Sequence, residues 1–73
     1  MTKAEKKKFD ELVSLMRQYW KKHQDWTDEM LTTYGDDPTK WDTFRVKSFY
    51  YHKGLAHCYR GILDRMIQDG LIT

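Results

Sequence analysis

Start and stop signals for two helices of similar length constrain this chain of 73 residues more than any other feature. The first start is a capping box at Thr2 and Glu5, in which the threonine oxygen can accept from the Glu5 amide while the glutamate carboxylate reaches back to the Thr2 amide. The first stop is Gly35, because glycine readily adopts the left-handed conformation that commonly ends a helix. These signals predict helix one over residues 3–34.

The second helix is bounded by signals of a related kind. Asp37 offers an N-cap acceptor, and Pro38 follows at N1, where its missing N–H group costs nothing. Gly70 provides the second stop, so helix two is predicted over residues 38–69. Helices joined by so short a connection must return antiparallel. We therefore predict an all-α fold, an antiparallel two-helix hairpin, in a single domain of residues 1–73.

Three rows of mostly apolar side chains run along helix one at heptad spacing. The first row is Phe9, Met16, His23 and Met30, and the second is Leu12, Tyr19 and Trp26. The third row is Val13, Trp20, Thr27 and Tyr34. A lone hairpin has two facing stripes and cannot cover a third row. The excess predicts a partner surface, most economically a second copy that completes a four-helix bundle.

Helix two has one apolar row that alternates three- and four-residue steps, and we expect this row to face helix one. Its members are Trp41, Phe44, Ser48, Tyr51, Leu55, Cys58 and Ile62. Further apolar residues lie outside it, namely Phe49, Ala56, Tyr59, Leu63, Met66 and Ile67. The row passes Gly54 without a change of phase, which favours one continuous helix. The alternative is a Schellman stop at Gly54, which would break helix two and give a three-helix bundle.

Gly54, Cys58 and Gly61 lie four and three residues apart and so share one face of helix two. Each glycine inside a helix costs about 1 kcal/mol relative to alanine, and a compensating gain is therefore expected. We interpret the three residues as a strip for close helix–helix packing. The alternative is a shallow groove that admits a ligand or a side chain of a partner.

No group of residues in the sequence points to catalysis or to a metal. Cys58 and His57 are neighbours, and on a helix they point about 100° apart, which prevents the hydrogen bond that activates a thiol. We expect Cys58 to be buried as a small hydrophobe. His52 and His57 have the wrong spacing for a metal site on one helix face. His23, at a core heptad position, is interpreted as a hydrogen-bonded interior histidine. The sequence therefore predicts no enzyme activity, cofactor, metal or small-molecule substrate.

Cysteine usage and hydropathy favour a cytoplasmic protein. A single cysteine cannot form an intramolecular disulfide, as expected in a reducing compartment. No run approaches the roughly 18 apolar residues of a membrane span, and none follows the N-terminus as a signal peptide would. The net charge of +2 does not indicate a partner by itself.

Basic residues are concentrated in two stretches without acids, residues 12–24 and 43–63. A hairpin folded about residues 35–36 places position i beside roughly position 71 − i, so the two stretches are expected to lie side by side. Aromatic residues are interleaved with the cations. The predicted partner-binding residues of this basic-aromatic belt are Arg17, Lys21, Lys22, Arg45, Lys47, Tyr50, Lys53 and Arg60.

Cations beside aromatic rings suit an acidic macromolecule, either an acidic protein surface with an aromatic anchor or a nucleic acid. The alternative is a solvated face on which lysine and arginine stems cover the aromatic core. We predict a small, non-enzymatic interaction or regulatory module that forms a homodimer and binds an acidic partner through the belt. A protein partner is favoured because the net charge is modest, and RNA or single-stranded DNA is the alternative.

Two short strings carry a resemblance to a known family. They are Met1–Lys3 followed by Glu5 and Lys6, and Tyr59-Arg60 followed by Leu63 and Arg65. Together with the chain length and the hairpin they resemble the Rop family of plasmid regulators, which are RNA-binding dimers of helical hairpins. The helices here are longer and helix one is more aromatic. The resemblance implies a dimeric hairpin and RNA as a partner, and the composition is similar to that of accessory proteins of phages and mobile elements.

Overall fold

The structure, a computed structural model of residues 1–73, is a helical hairpin without strands. Helix α1 spans Lys3–Tyr34 and helix α2 spans Thr43–Gln68, and the short 3-10 turn Pro38–Lys40 lies between them. The two helices pack antiparallel along their length. The molecule measures 51 × 20 × 17 Å. No helix has a stretch long and apolar enough to cross a membrane. The prediction of an all-α hairpin is confirmed.

The start of α1 is the capping box that the sequence predicts. Glu5 N donates to Thr2 Oγ1 at 3.1 Å, and Thr2 N donates to Glu5 Oε1, also at 3.1 Å. The hydrogen bonds from the Thr2 amide and hydroxyl hold the pKa of Glu5 below its usual value. At the other end, Gly35 has a φ of 100° and its N–H group donates to the Leu31 carbonyl. Both predicted limits of α1 are confirmed.

The start of α2 differs from the prediction. Asp37 caps only the 3-10 turn, where its carboxylate accepts from Thr39 N at 3.1 Å. Trp41 is then extended, and α2 begins at Thr43 with Asp42 as its N-cap, accepting from Arg45 N at 2.8 Å. The extended backbone turns the Trp41 ring onto Phe49, at 5.2 Å between ring centres. A start at residue 38 was therefore wrong: the chain leaves the helical conformation at Trp41, and α2 begins after the Asp42 cap.

Helix α2 is continuous through Gly54 and ends in a Schellman motif. The N–H group of Gly70, at a φ of 74°, donates to the Ile67 carbonyl at 3.0 Å, and Leu71 N donates to the Met66 carbonyl at 2.9 Å. These are the two bonds that define the motif. The prediction of a continuous second helix is confirmed, and the three-helix alternative with a break at Gly54 is wrong.

The row of α2 that packs against α1 is not the row that the sequence predicts. On α2 the most deeply buried residues are Phe49, Ala56 and Leu63, which repeat every seven positions. These residues were expected outside the row facing α1, and the predicted row, from Phe44 to Ile62, points away from the core. The two rows are separated by about 100° on the helix, and periodicity alone does not say which of two apolar stripes faces the neighbour.

A similar exchange occurs on α1. Val13, Thr27 and Met30 are buried against α2, and Trp20 is half-buried with them. The third row of the sequence is thus part of the core. The row that remains uncovered consists of Leu12, Tyr19 and Trp26. The expectation of one row too many on α1 therefore holds, but a different row is left over.

The pairing of the helices is shifted by one to two turns from the predicted register. With position i beside 71 − i, His23 would lie next to Ser48. In the structure His23 contacts His52, and Tyr19 contacts Tyr59. The shift follows from the late start of α2, because the chain between Gly35 and Asp42 is not α-helical.

Candidate interaction surfaces

One side of the hairpin is an open apolar face to which both helices contribute. We define it by six residues: Leu12, Tyr19, Trp26, Phe44, Leu55 and Ile62. All except the half-buried Leu55 are exposed, and Phe44, at 82%, is the most exposed of them. Tyr19 contacts Tyr59 of α2 at 5.7 Å between ring centres, and Trp26 contacts His52 at 4.9 Å. The uncovered rows of the two helices are therefore adjacent and form a single surface.

A pair of histidines lies in the floor of the apolar face. The Nδ1 atoms of His23 and His52 are 2.8 Å apart, so one ring donates a hydrogen bond and the other accepts it. The ring of Tyr59 stacks on His23, with 6.2 Å between the ring centres and 3° between the planes. Burial, the charge of His23 and the charge of Lys22 lower the pKa of His52. This site fits the expectation of a hydrogen-bonded interior His23.

The predicted register placed Ser48 beside His23, so His52 was not identified as its partner. A register based on Asp42 as the N-cap of α2 brings His52 closer to His23. Asp42 and Arg45 have the spacing of an N-cap residue and the first turn that follows it. That second signal lies five residues after Asp37 and was overlooked in favour of Asp37-Pro38.

The apolar face widens into a groove near the tip of the hairpin. The groove encloses about 710 Å³ and includes Trp26, Met30, Phe44 and Ser48 in its lining. Arg45 lies at its edge, with its guanidinium 4.4 Å from the ring centre of Tyr34. The same guanidinium pairs with Asp42 at 2.8 Å. Arg45 is therefore part of the apolar side of the molecule and not of a basic belt.

The opposite side of the hairpin is basic. Arg17, Lys21 and Arg60 line one shallow groove together with Trp20. Lys53 lies seven residues before Arg60 and hence on the same face of α2. We call this surface the basic side and define it by Arg17, Lys21, Tyr50, Lys53 and Arg60. Here the structure does bring cations from both helices together, as predicted.

The other predicted belt residues are not part of the basic side. Lys22 acts on His52 and so lies toward the apolar face. Lys47 is exposed, nine residues before Ala56, and so points away from the core residue Ala56 of the same helix. The belt is therefore not one surface. The position of each cation on a helical wheel, drawn with 100° per residue and oriented by the observed core, accounts for this division. The prediction had grouped the cations only because no acid lies between them in the sequence.

Acids just outside the two acid-free stretches neutralise several of these cations. Arg60 Nε donates to Asp64 at 2.8 Å, and Lys21 lies 3.9 Å from the Asp25 carboxylate. Both partners are one turn further along the same helix, which makes them i, i+4 pairs. Arg17 and Lys53 have no acidic side chain as a partner: Arg17 donates to the backbone O atom of Thr73 at 2.7 Å, and the Lys53 ammonium lies 5.9 Å from the ring centre of Tyr50.

The strip of Gly54, Cys58 and Gly61 is exposed and does not pack against α1. A Cβ atom added at Gly54 or Gly61 would meet nothing within 4 Å. Within the hairpin, α1 packs against the Ala56 face of α2, and the strip faces solvent. The expectation that Cys58 is buried was therefore wrong, and a close approach at the strip within the hairpin is not observed.

No protein-family model matches the chain, and no curated protein or solved structure is significantly similar to it.

Proposed function

We propose that this protein is a non-enzymatic interaction module that forms a homodimer. Two hairpins pack apolar face against apolar face into a four-helix bundle, and each presents its basic side to an acidic macromolecule. The observation that carries the proposal is the amount of surface that the single hairpin leaves exposed.

The exposed area of the hairpin is large for its mass. Its accessible surface is 5843 Å², with 6 of 73 residues buried. A compact monomer of this mass would expose about 4,800 Å². The excess of about 1,000 Å² per chain is comparable to the roughly 800 Å² that each partner buries in a stable protein–protein interface. A second copy on the apolar face would cover an area of this size.

The composition of the apolar face supports a second copy as its occupant. Its residues include Tyr19, Trp26 and Phe44, and aromatic side chains of this kind are enriched at the centre of interfaces. The face runs along both helices, and a two-fold axis in the plane of the face and perpendicular to the helices would place the tip of one hairpin beside the termini of the other. Such an isologous arrangement is closed, and it leaves the basic sides on the outside of the bundle.

An acidic protein surface is the partner that the basic side favours. Arg60 already covers the ring of Trp20, at 4.9 Å from the ring centre, and Lys53 lies near the ring of Tyr50. Stacking of nucleic-acid bases would have to displace these cations from the rings. Two cations of the basic side, Lys21 and Arg60, are in ion pairs, which lowers the positive field that a phosphate backbone would meet. Binding of RNA or single-stranded DNA remains the alternative.

Two isoleucines on α2 allow a matched test of the dimer. Ile62 lies on the apolar face and Ile67 lines the groove of the basic side, with exposed fractions of 49% and 39%. We expect Ile62→Lys to raise the dissociation constant of the dimer about tenfold or more, because it places two charges in an apolar interface. Ile67→Lys is expected to leave the constant unchanged. Equal effects of the two substitutions in sedimentation equilibrium would contradict the proposed interface.

A further inference from the structure

The hydrogen-bonded histidines occupy a central place on the apolar face. On α2 the face extends from Phe44 to Ile62, and His52 lies near the middle of this span. On α1 it extends from Leu12 to Trp26, and His23 lies within it. A two-fold axis through the middle of the face would therefore bring both copies of the pair close to the centre of the interface.

We propose that the His23–His52 pair makes dimerisation of this chain dependent on pH, with the dimer favoured when the pair carries no charge and opposed when it is protonated. This inference rests on the proposed homodimer. The regulated site is the apolar face itself, and the ligand of the switch is the proton.

The geometry of the pair limits how many protons it can hold. A bond between two Nδ1 atoms at 2.8 Å needs one N–H group and one free lone pair. In the uncharged pair, one ring has its proton on Nδ1 and the other has it on Nε2. A first added proton can enter at the free Nε2 atom and leave the bond intact. A second must enter at the accepting Nδ1 atom, which would set two N–H groups against each other and break the bond.

The surroundings of the pair oppose even the first charge. From α1 the groups that face it are Trp26 and the ammonium of Lys22, and from α2 they are Tyr51 and Tyr59, the latter in contact with Tyr19. The charges acting on His52 are thus those of His23 and Lys22, and both are repulsive toward an imidazolium. A second hairpin on the face would remove the water that solvates an imidazolium and so oppose the charge further.

The direction of the pKa shift agrees with this picture. Burial and the two neighbouring positive groups lower the pKa of His52 from its usual value of 6.5. The folded hairpin therefore binds fewer protons than the unfolded chain at a pH below 6.5, and its stability declines as the pH falls from 6.5 toward the lowered pKa. Burial of the pair under a second hairpin would shift the pKa further in the same direction, so the dimer is expected to follow the same dependence. Because a dimer contains two copies of the pair, the dependence on pH is expected to be steep.

The test measures the dissociation constant of the full chain by sedimentation equilibrium between about pH 7.5 and pH 5.5, across the range in which histidine titrates. We expect the constant to rise about tenfold or more over this interval. His52→Leu is expected to remove the dependence on pH and to leave a dimer at both ends of the range. His57→Gln is the control, because His57 is exposed and is not part of the His23–His52 pair. The dimer of this variant is expected to depend on pH as that of the unmodified chain does.

Three results would overturn the inference. A dimer whose dissociation constant does not change with pH would contradict the switch but leave the proposed homodimer in place. Loss of the pH dependence in His57→Gln would show that His57, and not the His23–His52 pair, is responsible for it. A monomer at pH 7.5 at all concentrations would contradict both the switch and the homodimer. If His52→Leu fails to fold by circular dichroism, His23→Leu provides the same test from the other helix.

Discussion

The guanidinium group of Arg60 on α2 lies 4.9 Å from the centre of the Trp20 ring on α1, so a cation covers an indole across the helix–helix contact. Asp64, one turn further along α2, accepts from Arg60 Nε at 2.8 Å and holds the guanidinium in this orientation. Arg60 of the basic side is thus part of the packing between the two helices.

Replacing Arg60 with methionine keeps an unbranched apolar stem but removes the charge over Trp20. We expect a loss of about 0.5–1 kcal/mol in the free energy of unfolding, the range of a cation–π contact near the surface. Arg65→Met is the control, because Arg65 pairs with Asp69 on its own helix and has a side chain that is 74% exposed. Urea unfolding followed by tryptophan fluorescence measures both, and an equal loss in the two variants would show that the Trp20 contact contributes nothing.

Gly61 inside α2 and Gly70 just after it are expected to respond to substitution according to their backbone angles. Because an added Cβ at Gly61 meets nothing within 4 Å, Gly61→Ala is expected to stabilise the chain by up to about 1 kcal/mol through helix propensity. Gly70 has a φ of 74°, and Gly70→Ala is expected to destabilise the chain because of strain in the left-handed region. Thermal unfolding distinguishes the two. Destabilisation by Gly61→Ala would indicate that the exposed strip is packed against a second molecule.

Trp41 presents a buried polar group without a partner. Its indole Nε1 atom is shielded from solvent and makes no hydrogen bond. We expect Trp41→Phe to change the free energy of unfolding by less than about 1 kcal/mol, because relief of an unsatisfied donor offsets the lost ring area. Trp41→Ala removes the contacts with Phe49 and Tyr34 as well, and is expected to cost about 2 kcal/mol or more. Equal losses in the two variants, measured by urea unfolding, would contradict this interpretation.

Binding through the basic side is testable with defined polyanions as probes. Lys21→Glu combined with Lys53→Glu is expected to abolish binding of a polyglutamate peptide, because it reverses the charge at two positions of that side. Lys3→Glu combined with Lys7→Glu makes the same change of charge near the N-terminus and is the control. Fluorescence anisotropy measures both, with a single-stranded RNA oligonucleotide as a second probe. Full retention of binding in the first double variant would exclude the basic side, and tighter binding of RNA than of peptide would favour a nucleic acid as the partner.

The limits of the helices followed from local chemistry. The capping box at Thr2 and the stops at Gly35 and Gly70 depend on groups within one turn of each other, which a sequence displays directly. The start of α2 had two competing local signals, Asp37-Pro38 and the Asp42 cap, and the packing of Trp41 against Phe49 accompanies the second of them. The five-residue difference then changed the register and concealed the pair His23–His52.

The surfaces were less accessible to sequence reasoning than the helices. An excess of apolar rows was evident, but helix two carries two stripes of comparable size, one with Leu55 and one with Ala56. Which of them packs inside depends on the fit of side chains against α1. Because the Ala56 stripe packs against α1, Cys58 and Phe44 are exposed and the residues of the predicted belt lie on different faces. The acid-free stretches of the sequence therefore did not predict which cations lie on the same surface of the folded hairpin.

The central claim is that the apolar face is covered by a second copy of the chain, and the mass of the particle in solution tests it most directly. Sedimentation equilibrium at about pH 7.5 and micromolar concentration is expected to give twice the chain mass of 8.9 kDa. Dilution is expected to shift this value toward the monomer mass, as mass action requires. A mass of 8.9 kDa that does not change with concentration up to the millimolar range would contradict the four-helix bundle.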